Sequence, residues 1–172
     1  MRTSGPVVGL WAALVAAGCG TAGAEKAAPA PPPAAAAAAV PPHACTLLPR
    51  EIAEAVVGER IGEVKKAPDP PASADVTASH CLYASADGMR SMSVLVRHSR
   101  KGDNEPGYAR GVLKESGMTV EDVPGVGDTA FWAGVQLQAY KGRSLQVVVS
   151  MMGFDRPRER AAAAAARVLE KL

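Results

Sequence analysis

Aromatic residues are scarce in this chain. Phenylalanine, tryptophan and tyrosine together make up 4% of the 172 residues, although 48% of the chain is hydrophobic. Much of that hydrophobic fraction is alanine in two low-complexity tracts, so a folded core has to be built mainly from valine, leucine, isoleucine and methionine. Such a core provides modest stability, and a covalent cross-link would strengthen it.

The chain also has almost no net charge. Its 19 lysine and arginine residues nearly balance 17 aspartate and glutamate residues, which leaves a formal charge of +2. Proteins that bind nucleic acids carry a basic patch that neutralises phosphate groups. The sequence shows no such cluster, so the composition argues against a nucleic acid as a partner.

Long hydrophobic runs are missing as well. The longest apolar stretch, residues 7–17, follows a single positive charge at Arg2 and is shorter than the roughly 20 residues that a helix needs to span a bilayer. These features predict a secretory leader over residues 1–18. The small residues directly before Cys19, in the order Ala-Ala-Gly-Cys, resemble the lipobox of bacterial lipoproteins, which implies that Cys19 is lipidated. An ordinary cleaved leader and a periplasmic or secreted protein are the alternative.

The next stretch, residues 19–42, contains the predicted anchor cysteine and then mostly alanine and proline. Its prolines prevent a continuous helix, and its composition cannot form a packed core. We therefore predict a disordered tether that spaces a folded domain from the membrane. Because Cys19 is followed by Gly20 and not by an acidic residue, the lipoprotein resemblance implies the outer membrane in a cell with two membranes, and the cell membrane otherwise.

The clearest folding signal is a pair of alternating runs on either side of Lys141 and Gly142. The apolar positions of the two runs are Val135, Leu137, Ala139, Leu145, Val147, Val149 and Met151, while Gln136, Gln138 and Tyr140 alternate with the first of them. Two period-2 runs separated by a residue and a glycine are typical of a β-hairpin with one buried face. The rest of the domain is expected to cover that face.

Similar patterns across residues 43–172 predict a single domain with the element order α-βββ-α-βββ(β)-α. Short turns between successive strands indicate antiparallel pairing, and helices placed between the two sets of strands cover a sheet face. The fold class is therefore predicted to be α+β, with an antiparallel sheet of about six to seven strands and helices packed on one face.

Four short motifs lie within this predicted domain: CTLLP from Cys45, CLY from Cys81, VGDTA from Val126 and LQV from Leu145. Together they resemble a family of small bacterial envelope lipoproteins that is known only as a domain of unknown function. That family pairs a Cys-Ser/Thr-Leu-Leu helix start with a Cys-x-aromatic strand and a Gly-x-Gly-Asp-x-Ala turn. The resemblance covers nearly all of residues 43–172 and implies no particular activity.

Cys45 and Cys81 remain once Cys19 is assigned to a lipid. An even pair of cysteines in an exported chain indicates a disulfide. The alternative is a zinc or copper site formed by these cysteines with His43 and His80. We favour the disulfide, because neighbouring residues on a strand point to opposite faces and an oxidising compartment consumes free thiols.

No convincing catalytic constellation is visible. Residues 125–130 match the dinucleotide fingerprint G-x-G-x-x-A in letters only, since a strand and not a helix is predicted to follow them. Glu121, Asp122 and Asp128 cluster around one turn, which leaves a hydrolase that uses these carboxylates as an alternative. We predict no catalytic residue, no metal ligand and no cofactor.

A candidate binding surface is formed by Asp128, Trp132 and Tyr140. Asp128 lies in the predicted turn, Phe131 and Trp132 point to opposite faces of an extended strand so that one of them is outward, and Tyr140 is predicted to be outward as well. A core residue with an edge contact is the alternative. Exposed aromatic side chains mark binding surfaces. The sequence thus predicts a lipid-anchored envelope protein that acts as a non-catalytic binding or structural module for a protein, a lipid or a cell-wall ligand.

Overall fold

The computed structural model describes residues 41–70 and 73–172. The helices are α1 (Ala44–Leu47), α2 (Arg50–Val57), α3 (Pro106–Glu115) and α4 (Pro157–Leu169). The strands are β1 (Ile61–Lys66), β2 (Val76–Ser85), β3 (Ser91–Ser99), β4 (Val120–Asp122), β5 (Thr129–Ala133), β6 (Gln136–Lys141) and β7 (Leu145–Met152). The predicted leader and most of the predicted tether, including Cys19, lie outside the described residues.

The seven strands form one sheet in the order β1-β2-β3-β7-β6-β5-β4, and every neighbouring pair is antiparallel. The chain makes two meanders, one before α3 and one after it, and these join side by side where β3 pairs with β7. Strands β1 and β4 are the two edges. The predicted α+β class and antiparallel sheet are confirmed.

The β6–β7 hairpin lies inside the sheet and shows the predicted alternation from Leu137 onward, whereas Val135 precedes β6 and is 55% exposed. The face of Gln138 and Tyr140 is buried as well, so the expectation of a single buried face is corrected for β6. Leu137 is paired with Val149 and Ala139 with Val147, and all four side chains are fully buried in the main hydrophobic core. A one-residue shift in this register would move every one of them to the opposite face. The period-2 pattern therefore determines which face of the sheet carries the core.

Helices α1, α2 and α4 cover this core face. Helix α4 packs along β6 and β7, and its buried residues are Ala161, Ala164, Ala165, Val168 and Leu169. Because alanine is small, the helix backbone can approach the sheet closely without large side chains between them. The alanine tract thus supplies most of the buried face of α4.

Polar side chains satisfy the free carbonyl groups at the carboxyl ends of α1 and α2. Lys171 Nζ donates to the Leu47 carbonyl at 2.8 Å, the Tyr83 hydroxyl donates to the Leu48 carbonyl, and Arg160 donates to the Val57 carbonyl. The last carbonyls of a helix have no partner within the helix, and cations at that end also interact favourably with its dipole. These contacts fasten the first helices to β2 and α4.

Helix α3 lies on the second face of the sheet, opposite the core. Its Arg110 guanidinium sits 4.7 Å from the ring centroid of Phe131, which points away from the core because its strand neighbours Ala130 and Trp132 point into it. Arg110 also pairs with Asp122 at 2.5 Å. The expectation that all helices pack on one face is therefore corrected for α3.

Within residues 41–70 and 73–172, none of the helices combines the length and the apolar character that crossing a bilayer requires.

Candidate functional site

A disulfide joins Cys45 in α1 to Cys81 in β2, with Cα atoms 5.1 Å apart. Cys81 is fully buried in the core, and the bridge ties the first helix to the sheet. The predicted pairing of the two cysteines is confirmed. A disulfide is consistent with an extracellular or other oxidising compartment.

The alternative metal site at His43, Cys45, His80 and Cys81 does not form. The disulfide removes both thiolate ligands, His43 Nδ1 accepts a hydrogen bond from the Cys45 N–H at 3.2 Å, and Asp69 accepts one from the His80 N–H at 3.0 Å. The described residues contain no group of three or more His, Cys, Asp or Glu side chains placed to hold a metal ion.

The turn carboxylates are each held by a separate structural contact. Glu121 pairs with Arg158 at 2.7 Å and Asp122 with Arg110, whereas the Asp128 carboxylate accepts a hydrogen bond from the Gly142 N–H at 2.6 Å. Asp128 remains exposed, and its N–H donates to the Tyr140 carbonyl at 2.8 Å. These contacts fasten the turn to α3, α4 and the β6–β7 hairpin.

The expected pair of exposed aromatic side chains at Trp132 and Tyr140 is wrong. Trp132 packs in the main core and is 8% exposed, while Tyr140 lies on the second face and is 2% exposed. Phe131 and Tyr140 stack there with ring centroids 6.1 Å apart, close to α3. Each face near β5 and β6 has its own helical cover, so neither ring is left in solvent.

Tyr140 nevertheless lines a polar pocket, which we call the amide pocket. This pocket of about 230 Å³ lies between the amino end of α3 and the second face of β3, β7 and β6. Its lining residues are Arg97, Asp103, Asn104, Glu105, Tyr108, Ala109, Tyr140 and Gln146.

The sheet register builds one wall of the amide pocket. Gln146 on β7 pairs with Arg97 on β3 and with Tyr140 on β6, so the three side chains lie in one row on the same face. The Tyr140 hydroxyl donates to Gln138 Oε1 at 2.8 Å and accepts from Gln146 Nε2 at 2.9 Å. Burial raises the pKa of the Tyr140 hydroxyl, against smaller opposing effects of Gln146 and nearby arginines.

Asn104 is the unusual member of the amide pocket. The residue is 2% exposed, and its N–H donates to the Arg143 carbonyl at 3.1 Å in the β6–β7 turn. No hydrogen-bond partner for either the nitrogen or the oxygen of its side-chain amide occurs among the described residues. A buried polar group without a partner costs about 1–3 kcal/mol, and such departures from good packing concentrate at functional sites.

The charged residues of the amide pocket neutralise one another. Arg97 pairs with Asp103 at 3.2 Å, and Glu105 pairs with Arg143 from the β6–β7 turn. The Ser99 hydroxyl, and after it Arg97, lower the pKa of Asp103 against an opposing effect of desolvation. The pocket therefore presents hydrogen-bonding groups without a net charge.

Comparison with known proteins gives no match: neither a protein-family model, nor a curated protein, nor a solved structure is similar to this chain.

Of the three residues in the predicted binding surface, only Tyr140 lines the amide pocket. The sequence pattern missed Asn104, which lies in the polar break between β3 and α3, and Tyr108, which lies in the first turn of α3. One available signal was the row of glutamines that alternates with the apolar positions of the hairpin. Polar residues opposite one another on a sheet face indicate a surface whose side chains form hydrogen bonds across the strands.

A ligand-free measurement tests whether Asn104 is retained at a cost to stability. We expect Asn104→Leu to raise the free energy of unfolding by about 1 kcal/mol, because leucine has a similar size and no polar atom to satisfy. Gln138→Leu is the matched control, since its amide accepts bonds from Tyr140 and Gln146. It should destabilise by about 1–3 kcal/mol. Urea unfolding followed by circular dichroism measures both, and a destabilised Asn104→Leu protein would contradict the interpretation.

Proposed function

We infer that this chain is an exported bacterial envelope lipoprotein, anchored to a membrane through Cys19, whose folded domain is a non-catalytic binding module. The binding role is carried by one observation, the fully buried Asn104 amide that lines a pocket and has no partner among the described residues. A ligand that supplies a donor and an acceptor would recover the hydrogen bonds that Asn104 lacks.

Two features support export and anchoring. The Cys45–Cys81 disulfide is of the kind that persists in oxidising compartments. Residues 1–18 have the apolar core of a secretory leader, and Cys19 follows small residues as in a lipobox. The Ala- and Pro-rich residues up to 42 then serve as a spacer between the anchor and the domain.

Metabolic labelling of the full chain tests the anchor. In a bacterial host fed an alkyne analogue of palmitate, the parent chain should carry the label and fractionate with membranes. Cys19→Ser should lose the label and move to the aqueous fraction, because a single thiol is the attachment point. Thr21→Ala, which alters the neighbouring sequence and keeps the thiol, is the control. An unlabelled parent chain or a labelled Cys19→Ser chain would overturn the anchor.

A further inference from the structure

The amide pocket also indicates the chemical class of its ligand, an inference that rests on the proposed binding function. Arg97, the cation that lines the pocket, already pairs with Asp103, and the second lining carboxylate, Glu105, pairs with Arg143 beside the pocket. Neither lining carboxylate is therefore free to take up a cationic ligand. A phosphate or a carboxylate would have to break one of these pairs in order to gain a cation. Charge complementarity therefore favours a neutral ligand.

The hydrogen-bonding groups of the pocket select for hydroxyl or amide groups. The Asn104 amide offers two N–H donors and a carbonyl acceptor, and neither atom is bonded to another described residue. A hydroxyl both donates and accepts, so one sugar hydroxyl or one N-acetyl group can satisfy such an amide. A purely apolar ligand would leave the amide unpaired and gain nothing from it.

Tyr108 adds an apolar platform to the same pocket. Tyr108 lies in the first turn of α3 and lines the pocket. It is 77% exposed, which is unusual for a large aromatic residue. One side of a pyranose ring presents mainly C–H groups, which pack on an aromatic ring, whereas hydroxyls project from the rim. An exposed tyrosine beside buried amides suits a molecule with both kinds of surface.

The size and position of the pocket point to one unit of a longer chain. Its volume of about 230 Å³ is below the roughly 300–1,000 Å³ of pockets that enclose a whole small molecule. The pocket lies on β3, β7 and β6, which are internal strands whose backbone groups are paired on both sides. An extended peptide binds by adding to a free sheet edge, so this position disfavours a peptide strand.

We propose that the amide pocket binds one neutral sugar ring of an envelope glycan, with Tyr108 packed on the apolar side of the ring and the Asn104 amide hydrogen-bonded to its hydroxyl or N-acetyl groups. Because both amide atoms of Asn104 are enclosed, the side chains over them have to move when the sugar binds.

Titration of the full chain in detergent micelles with tri-N-acetylchitotriose tests this assignment, with cellotriose as a neutral probe that lacks N-acetyl groups and the deacetylated, cationic chitotriose as a charged probe. We expect saturable binding of the neutral probes in isothermal titration and chemical-shift changes at the Asn104 side-chain N–H groups. The cationic probe should bind at least tenfold more weakly. A preference for the charged probe would overturn the neutral-ligand inference.

Substitutions at Tyr108 and Asn104 test whether the sugar binds in the amide pocket. Tyr108→Ala and Asn104→Leu should each weaken binding about tenfold, whereas Tyr108→Phe should stay within about twofold of the parent. Val112→Ala is the matched control, because Val112 is exposed one turn further along α3 and does not line the pocket. Circular dichroism verifies that each variant is folded. Unchanged binding by Tyr108→Ala, or saturable binding of an uncharged hexapeptide in place of the sugars, would overturn the proposal.

Failure of the sugar assignment is distinguishable from failure of the proposed function. The anchor is tested by labelling at Cys19, and the retention of Asn104 is tested by stability, and neither measurement contains a sugar. A folded, labelled protein that is stabilised by Asn104→Leu and binds no neutral trisaccharide would refute only the assignment of the ligand.

Discussion

Replacing Gly127 by alanine is expected to lower the free energy of unfolding by about 2–5 kcal/mol. Gly127 has a φ of +60°, and an added Cβ would overlap the Tyr140 carbonyl oxygen and lie 3.1 Å from Leu169 Cδ1. The left-handed backbone costs an alanine about 1–2 kcal/mol. Overlap with a backbone atom adds about 1–3 kcal/mol, because β6 cannot move without disturbing both of its neighbouring strands.

Gly125 is the matched control for this substitution. Its φ of +80° lies in the same left-handed region, but an added Cβ would meet no atom within 4 Å. Gly125→Ala should therefore show only the backbone penalty of about 1–2 kcal/mol. Urea midpoints of the two variants separate the penalties, and equal midpoints would show that the turn moves away from β6 at little cost.

Loss of the Cys45–Cys81 disulfide is expected to lower the free energy of unfolding by about 2–4 kcal/mol. The bridge closes a loop with a sequence separation of 36 residues and so restricts the unfolded chain. It also joins α1, which has only four residues, to the buried strand β2. A helix of that length has no independent stability, so the native contacts of its residues depend on the attachment.

Urea unfolding with and without a reducing agent measures this effect. The parent protein should unfold at a lower urea concentration after reduction, whereas the double variant Cys45→Ala and Cys81→Ala should unfold at the same concentration in both conditions. The double variant thus controls for other effects of the reducing agent. An unchanged midpoint of the parent protein, with both thiols shown to be reduced, would contradict the expected stabilisation.

The β6–β7 hairpin and the alternation of helices with sets of strands were predictable because their information is local, although the single helix predicted at the start of the domain is two helices, α1 and α2. Alternating apolar residues on both sides of Lys141 and Gly142 determine the turn and the buried face without reference to the rest of the chain. The disulfide was predictable because Cys45 and Cys81 remain once Cys19 is assigned to a lipid, and paired cysteines oxidise in an exported chain. Neither inference required knowledge of which distant residues come together.

The position of α3 could not be predicted in the same way. The packed face of a helix is usually predicted from its apolar stripe. Helix α3 instead contacts the second face through Arg110, which lies over Phe131 and pairs with Asp122. Every residue of α3 keeps some exposure. Tyr108 and Val112 belong to the apolar positions of α3 yet are exposed, so its hydrophobic pattern does not identify the face that contacts the sheet.

Asn104 illustrates why the candidate site was missed. A polar residue in the break between β3 and α3 is typical of a solvated loop, and its local sequence contains nothing that predicts burial. The contact that buries the backbone of this segment comes from Arg143, in a turn that belongs to the other meander. The amide pocket exists only after β3 and β7 have joined the two meanders.

The two edge strands, β1 and β4, determine whether copies of this protein can join through their sheets. An unprotected strand at the margin of a sheet can recruit a second chain and start aggregation. Here β1 has an irregular register between Ile61 and Glu63 and carries Glu63, Lys65 and Lys66, while β4 is three residues long and includes Glu121 and Asp122. Charge, brevity and a bulge thus resist strand addition at both margins, which would allow many molecules to crowd on one surface without polymerising.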